Sequence, residues 1–302
     1  MKALAGFCVA LLVLAACEAA STPGESPPTP WTSHGAVPSF TSSTPPASPT
    51  VAPSGEAHLV IVGLGDSTMH PSSCNGCTDF LELYGREIAS RTGLQVVVDN
   101  RAAIQFSNEP AVEAPRVLRD LEHDAAIRAA VGGADIVVLN VGYNDTPWNR
   151  LDDPRGAAPG YPVVDWAKIT DECTDRVVDE YATTLDEILA AVSDLRGSRP
   201  TALRVVTVYN GTVGNEVDES WDSPTAIEPT VRANDLLAQR QCEIAVTHGG
   251  LCADVHHAIN GEDGRQAAGD FLLASDYTHL SQRGHDVVAR LLTDLGIYPI
   301  EP

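Results

Sequence analysis

The 302-residue chain sets 41 acidic residues against 19 basic ones, giving a formal charge of −22 and an isoelectric point near 4.6. That balance excludes a nucleic-acid or anionic-membrane surface as partner, because both demand a basic footprint, and leaves a solvated acidic surface as the ordinary reading. At 43% hydrophobic content the chain can bury one substantial core, which fits one domain of catalytic size.

Residues 1–16 hold one basic residue, Lys2, an apolar run over 3–14 and then Ala15-Ala16. The run is too short to span a bilayer and has the build of a secretory signal peptide. Leu14-Ala15-Ala16-Cys17 resembles the lipobox of bacterial lipoproteins, which implies cleavage before Cys17 and a lipid on its sulfur and new amino terminus. Ordinary signal cleavage beside a coincidental cysteine is the alternative. Residues 17–57 are dominated by Pro, Ser, Thr, Gly and Ala, with Trp31 and Phe40 scattered and no apolar periodicity. Such a stretch cannot bury enough surface to offset its chain entropy. It reads as a lipid-anchored tether, reaching on the order of 120 Å if fully polyproline-like at about 3.1 Å per residue. A single catalytic domain is expected over 58–302, exported and held at the cell surface or the outer face of the cytoplasmic membrane by the lipid alone.

From His58 the pattern alternates between strand and helix. The apolar, β-branched run over 58–64 predicts a buried strand that delivers Gly65-Asp66-Ser67-Thr68 to its carboxyl end. A helix is expected over 79–91, with Asp79 and Glu82 spaced as a capping box and Gly93 as its stop. Strand 95–98, helix 113–131, strand 134–141 and a long loop over 146–162 follow. Next come helix 175–195, strand 202–209, a loop through Pro229, a helix to about 246, strand 251–255 and a closing helix over 281–295. This alternation argues for a three-layer α/β/α sandwich around a central parallel sheet.

Of seven cysteines, Cys8 lies in the signal and Cys17 is the lipid acceptor, leaving an odd five. Paired thiols are expected in an exported protein. Cys242 and Cys252 can join the end of a helix to the following strand. Cys74 and Cys77 fit a local disulfide in the loop after Ser67, with Cys173 left over, although pairing of either with Cys173 is open.

A serine becomes a nucleophile only with a base in hydrogen-bond reach and a third group orienting that base. Asp276-Tyr277-Thr278-His279 places a carboxylate three residues before an imidazole in a loop leading to a helix. His256 and His257, following Asp254, are weaker candidates, and His70, His123 and His285 lack useful partners. Gly142-Tyr143-Asn144-Asp145 closes the strand over 134–141, where glycine admits close backbone approach and an asparagine amide can meet an oxyanion.

A strand followed by Gly-Asp-Ser, a strand followed by Gly-x-Asn-Asp, and a late Asp-x-x-His before the last helix together resemble the SGNH (GDSL-type) hydrolase family, in that family's order, across 58–302. The resemblance implies a flavodoxin-like sheet. It makes Ser67 the nucleophile, His279 the base and acid, and Asp276 its orienting residue. It makes Asn144 and the Ser67 N–H oxyanion donors, with Gly142 beside the substrate. The family's further block carries a glycine where this chain reads Asn100-Arg101-Ala102-Ala103-Ile104-Gln105, so the third donor falls to the backbone of Ala103 or Gln105.

The expected activity is ester hydrolysis through an acyl-serine, on a small-molecule or glycan ester, by a monomer needing neither metal nor cofactor. Two other readings stand beside it. One is O-deacetylation of, or acyl transfer to, an envelope carbohydrate, with Trp148 and Trp221 available to stack on sugars or merely covering the core edge. The other is a non-catalytic envelope-binding lipoprotein, supported only by the missing glycine.

Overall fold

The computed structural model describes residues 58–103, 113–149, 164, 166–214, 224–273 and 275–300. The signal peptide, the tether, Cys17, Gln105 and Trp221 lie outside them. Five parallel strands, β1 (His58–Gly65), β2 (Gln95–Asn100), β3 (Ile136–Asn140), β4 (Ala202–Val206) and β5 (Leu251–Ala253), form one sheet in the order β2-β1-β3-β4-β5.

Alternation along β1 decides the layering, because successive side chains leave a strand on opposite faces. Leu59 and Ile61 enter a core with Phe80, Leu81, Tyr84 and Ile88 of α1 (Phe80–Thr92), Val255 and Ile259 of α6 (Val255–Asn260), and Val288 and Leu292 of α7 (Gln282–Asp294). Val62 and Leu64 enter the other, with α2 (Ala114–His123), α3 (Ala125–Gly133), α4 (Asp171–Arg196) and α5 (Pro224–Thr247). Each fully buried aliphatic side chain contributes roughly 1.5–3 kcal/mol over leaving it in water. The central strand is therefore firmly held at the place where the site is mounted.

Local chemistry sets the element ends. Asp79 accepts from the Leu81 and Glu82 N–H groups, and Gly93, at φ 71°, closes α1 in the left-handed conformation. The single helix expected over 113–131 is two, because Asp124 adopts an extended backbone and caps α3 through the Ala126 and Ile127 N–H groups. α4 begins earlier than expected, at a Thr170 cap, and α5 begins at Pro224, with Pro229 inside it. β4 stops at Val206 and β5 at Ala253, where α6 starts under an Asp254 cap.

Two disulfides, Cys74–Cys77 and Cys242–Cys252, pair as the spacing suggested. Cys173 is disulfide-bonded too, not left over.

Candidate active site

The chain runs from β1 outward to β2 and then returns to β3 on the other side of β1. That reversal opens a crevice beyond the carboxyl ends of β1 and β3, the position at which open α/β sheets bind ligands. Ser67 lies just past β1, and Asn144 lies just past β3. The last ladder pair, Gly65 with Asn140, holds the two exits together, and the Asp66 N–H donates to the Asn140 carbonyl at 3.2 Å. A Cβ on Gly65 would stand 2.4 Å from that carbonyl oxygen, so the close approach requires glycine.

His279 Nε2 lies 3.0 Å from Ser67 Oγ, and His279 Nδ1 lies 3.0 Å from Asp276 Oδ2. The two Asp276 oxygens divide their work. Oδ1 accepts the Thr278 and His279 N–H groups at 2.9 and 3.0 Å, fixing the turn, which leaves Oδ2 for the imidazole. Burial pushes the Asp276 carboxyl up, but these hydrogen bonds and the adjacent imidazole outweigh it and hold it below the usual carboxylate range. An ionised Asp276 places the proton on Nδ1, and Nε2 is then the acceptor facing the serine hydroxyl. The turn is closed by Leu273 N–H donating to the His279 carbonyl at 2.8 Å. It is seated from below by the Tyr209 hydroxyl, which donates to the Thr278 carbonyl at 2.6 Å. Tyr277 completes it at φ 52°.

On the other side of Ser67, Asn144 Nδ2 reaches Asp66 Oδ2 at 3.5 Å, the outer limit of a hydrogen bond. Asp66 is buried beneath the serine and accepts the Thr68 N–H and hydroxyl at 2.9 and 2.6 Å. Burial raises its pKa above the ordinary value. Asp145 does not face the crevice. Its carboxylate accepts the Ala114 and Glu113 N–H groups and so caps α2 from another part of the chain. Arg116 donates to Glu113 and Asp120 at 2.6 Å each and to the Gly65 carbonyl at 3.0 Å, bracing the turn from behind.

Two sequence-based assignments change. The Ala103 N–H is spent on the Gly65 carbonyl at 3.1 Å, extending the β1–β2 ladder, and so is not available to an oxyanion. Gln105, the other position named, lies outside the described residues. Gly142, at φ 118°, is glycine for an internal reason: a Cβ there would stand 2.9 Å from the Tyr181 hydroxyl and 3.1 Å from Gln241 Nε2. Buried packing therefore accounts for the glycine without any contact to substrate. Among the other histidines, His256 is fully buried against Asp235 at 2.6 Å, His257 pairs with Asp254, and His70 with Ser72. Trp148 packs on Trp166 and is buried, in keeping with the core-edge reading. Among the described residues, no group of three or more His, Cys, Asp or Glu side chains is arranged to hold a metal ion.

Sequence reasoning missed Tyr209, Tyr181, Gln241 and Arg116. Tyr181 and Gln241 left a faint signal, since each occupies an apolar i, i+4 stripe, Val177-Tyr181-Leu185 and Leu237-Gln241-Ala245.

The profile of the GDSL-like Lipase/Acylhydrolase family matches residues 64–287. The chain belongs to this family. This GDSL-like protein is accordingly a carboxylic ester hydrolase. Among solved structures it is similar to the lipase Lip_vut3 from a goat rumen metagenome, at 16% identity and TM-score 0.56, over 80% of this chain and 100% of that one. It is also similar to a lipase/acylhydrolase from Enterococcus faecalis, at 18% identity and TM-score 0.51, over 81% and 98%. An acetylxylan esterase from Geobacillus stearothermophilus matches at 17% identity and TM-score 0.50, over 80% and 97%. At such identities the likeness speaks to the α/β fold. No curated protein matches the sequence.

The acidic cluster behind the site sets a pH dependence of stability. Burial raises Glu113 and Asp145 each to about 7, Arg116 opposing the rise at Glu113, while Asp66 adds repulsion to both. The folded protein thus holds these protons more tightly than the unfolded chain does. Their contribution is complete below about pH 4 and is lost as pH rises through about 7. Glu113→Gln keeps an acceptor for Arg116 and removes one ionisation. Urea midpoints measured from pH 4 to 8 are expected to decline less steeply for this variant than for the parent; an identical slope would show that Glu113 does not titrate in that window.

Proposed function

We propose that the protein hydrolyses small-acyl carboxylic esters through an acyl-serine formed on Ser67. The observation carrying this reading is the continuous hydrogen-bonded chain from Ser67 Oγ through His279 to Asp276. Ser67 Oγ bonds to the ester carbonyl carbon as its proton passes to His279 Nε2. The oxyanion is met by the Asn144 amide and the Ser67 N–H. His279 then returns the proton to the departing alcohol, and Asp276 stabilises the imidazolium between the two transfers. Water, deprotonated by His279, releases the acid and restores the serine.

A carbohydrate O-acetyl ester is the second reading, supported by the likeness to the Geobacillus acetylxylan esterase. A purely binding role has less behind it, because that role gives no reason for aligning serine, imidazole and carboxylate. The protein is further read as an exported monomer, tethered through lipidated Cys17, a reading that the bonded state of Cys173 opposes, because Cys8 and Cys17 are the two cysteines left over by the other disulfides. The lipobox-like Leu14-Ala15-Ala16-Cys17 supports the reading, as do the disulfides, which persist in oxidising compartments.

The test compares aryl acetate with acetylated xylo-oligosaccharide as substrates for the tethered protein isolated from membranes, whose amino terminus is also weighed by mass spectrometry. Turnover of aryl acetate at least equal to that of the sugar ester, together with a lipidated Cys17, is expected. Strong preference for the sugar ester moves the assignment to the second reading, and an unmodified Cys17 removes the anchor.

A further inference from the structure

We propose that Gln241, assisted by Tyr181, is a positioning residue that sets the aim of Asn144. The inference rests on the reading of Asn144 as an oxyanion donor.

β3 and β4 pair in register from Ile136 with Ala202 to Leu139 with Val205, and the ladder then stops. Beyond it the strand exits must separate, because Gly142-Tyr143-Asn144 leaves one and Val208-Tyr209-Asn210 the other. The Gln241 side chain, reaching in from α5, occupies the gap. Its Oε1 accepts the Val208 N–H at 2.9 Å, and its Nε2 donates to the Val141 carbonyl at 2.6 Å. That is the pattern a backbone amide would make in a sheet, so the side chain acts as a substitute rung. Tyr181, on α4, donates its hydroxyl to the same Val141 carbonyl at 3.0 Å and accepts from Gln241 Nε2 at 2.9 Å.

Gln241 is fully buried and Tyr181 nearly so. Burying an amide costs unless every polar atom is paired, and an apolar residue would fill α5's inner stripe more simply. What the amide adds is directional control of the last carbonyl before the Asn144 loop. Gly142 is moulded to the same pair, since its missing side chain leaves room for the Tyr181 hydroxyl and Gln241 Nε2. Asn144 follows two residues later and, among the described residues, only the 3.5 Å contact to Asp66 holds its amide. Its direction is consequently inherited from the backbone, which is fixed before it at the Val141 carbonyl and after it at Asp145, whose carboxylate accepts the Glu113 and Ala114 N–H groups.

The experiment is a double-mutant cycle on aryl acetate hydrolysis by the whole protein, combining Gln241→Met or Tyr181→Phe with Asn144→Ala. Tyr181→Phe removes one hydroxyl and keeps the ring, so it reports even if Gln241→Met folds poorly. Misplacing an oxyanion donor by a fraction of an ångström is expected to lower kcat about 10-fold for Gln241→Met and about 3-fold for Tyr181→Phe, with KM within about 2-fold of the parent. In the Asn144→Ala background each should cost less than about 2-fold, because the group they aim is gone. Equal losses in both backgrounds, or no loss in either, would overturn the positioning role while leaving Asn144 as the donor. If Asn144→Ala alone leaves kcat unchanged, the oxyanion reading and this proposal fall together.

Discussion

Ser67→Ala and His279→Ala are each expected to lower kcat for aryl acetate on the order of 10^4- to 10^6-fold, with urea midpoints close to the parent's. The size follows from the way the two groups depend on each other. Without His279 the serine keeps its proton at neutral pH, and without Ser67 the imidazole has no nucleophile to activate. Their losses should therefore not multiply, and the double variant should be about as slow as either single one. The stability expectation comes from the structure: Ser67 and His279 are only partly buried, and the His279 turn keeps its Asp276, Leu273 and Tyr209 bonds when the imidazole is removed. Steady-state kinetics with active-site titration checks the rate. Losses below about 10-fold would separate the Ser67–His279 contact from catalysis.

Asn144→Ala is expected to lower kcat about 100- to 1000-fold at little cost in KM, the usual result of removing one preorganised oxyanion donor. The effect should stay within that range because the Ser67 N–H remains as a second donor. A loss confined to KM would identify Asn144 as a ground-state contact to the acyl group or alcohol. Asp145, its neighbour, separates from it in this test: it caps α2, so its replacement should lower stability before it lowers kcat.

Much of this architecture was legible in the residues. The alternation in β1, Asp79 and Gly93 bounding α1, and the three motifs in order led to a parallel sheet with the serine at a strand exit. The spacing of Asp276 and His279 also anticipated a contact that a single loop can make. Where the reading failed, polar contacts that the residue letters do not reveal were responsible. Asp124 sits in a pattern that looks continuously helical, and only its extended backbone and its cap bonds divide α2 from α3. β4 and β5 are shorter than their apolar runs because side chains take over the rungs. Gln241 does so for Val208, Asn260 for Asn210, and Thr207 for Val255. A polar residue forming such a rung has the same letter in the sequence as a solvated one. The Ala103 assignment failed for the same reason, since nothing local reveals that its N–H already serves the Gly65 carbonyl.

Labelling with a fluorophosphonate, followed by intact-mass measurement and peptide mapping, tests the nucleophile most directly. One phosphonyl adduct per chain on Ser67 is expected, with activity lost in proportion to labelling, no adduct in Ser67→Ala and slow labelling in His279→Ala. An adduct on a different residue, or ester hydrolysis that persists in a fully labelled or Ser67→Ala protein, would contradict the assignment of Ser67.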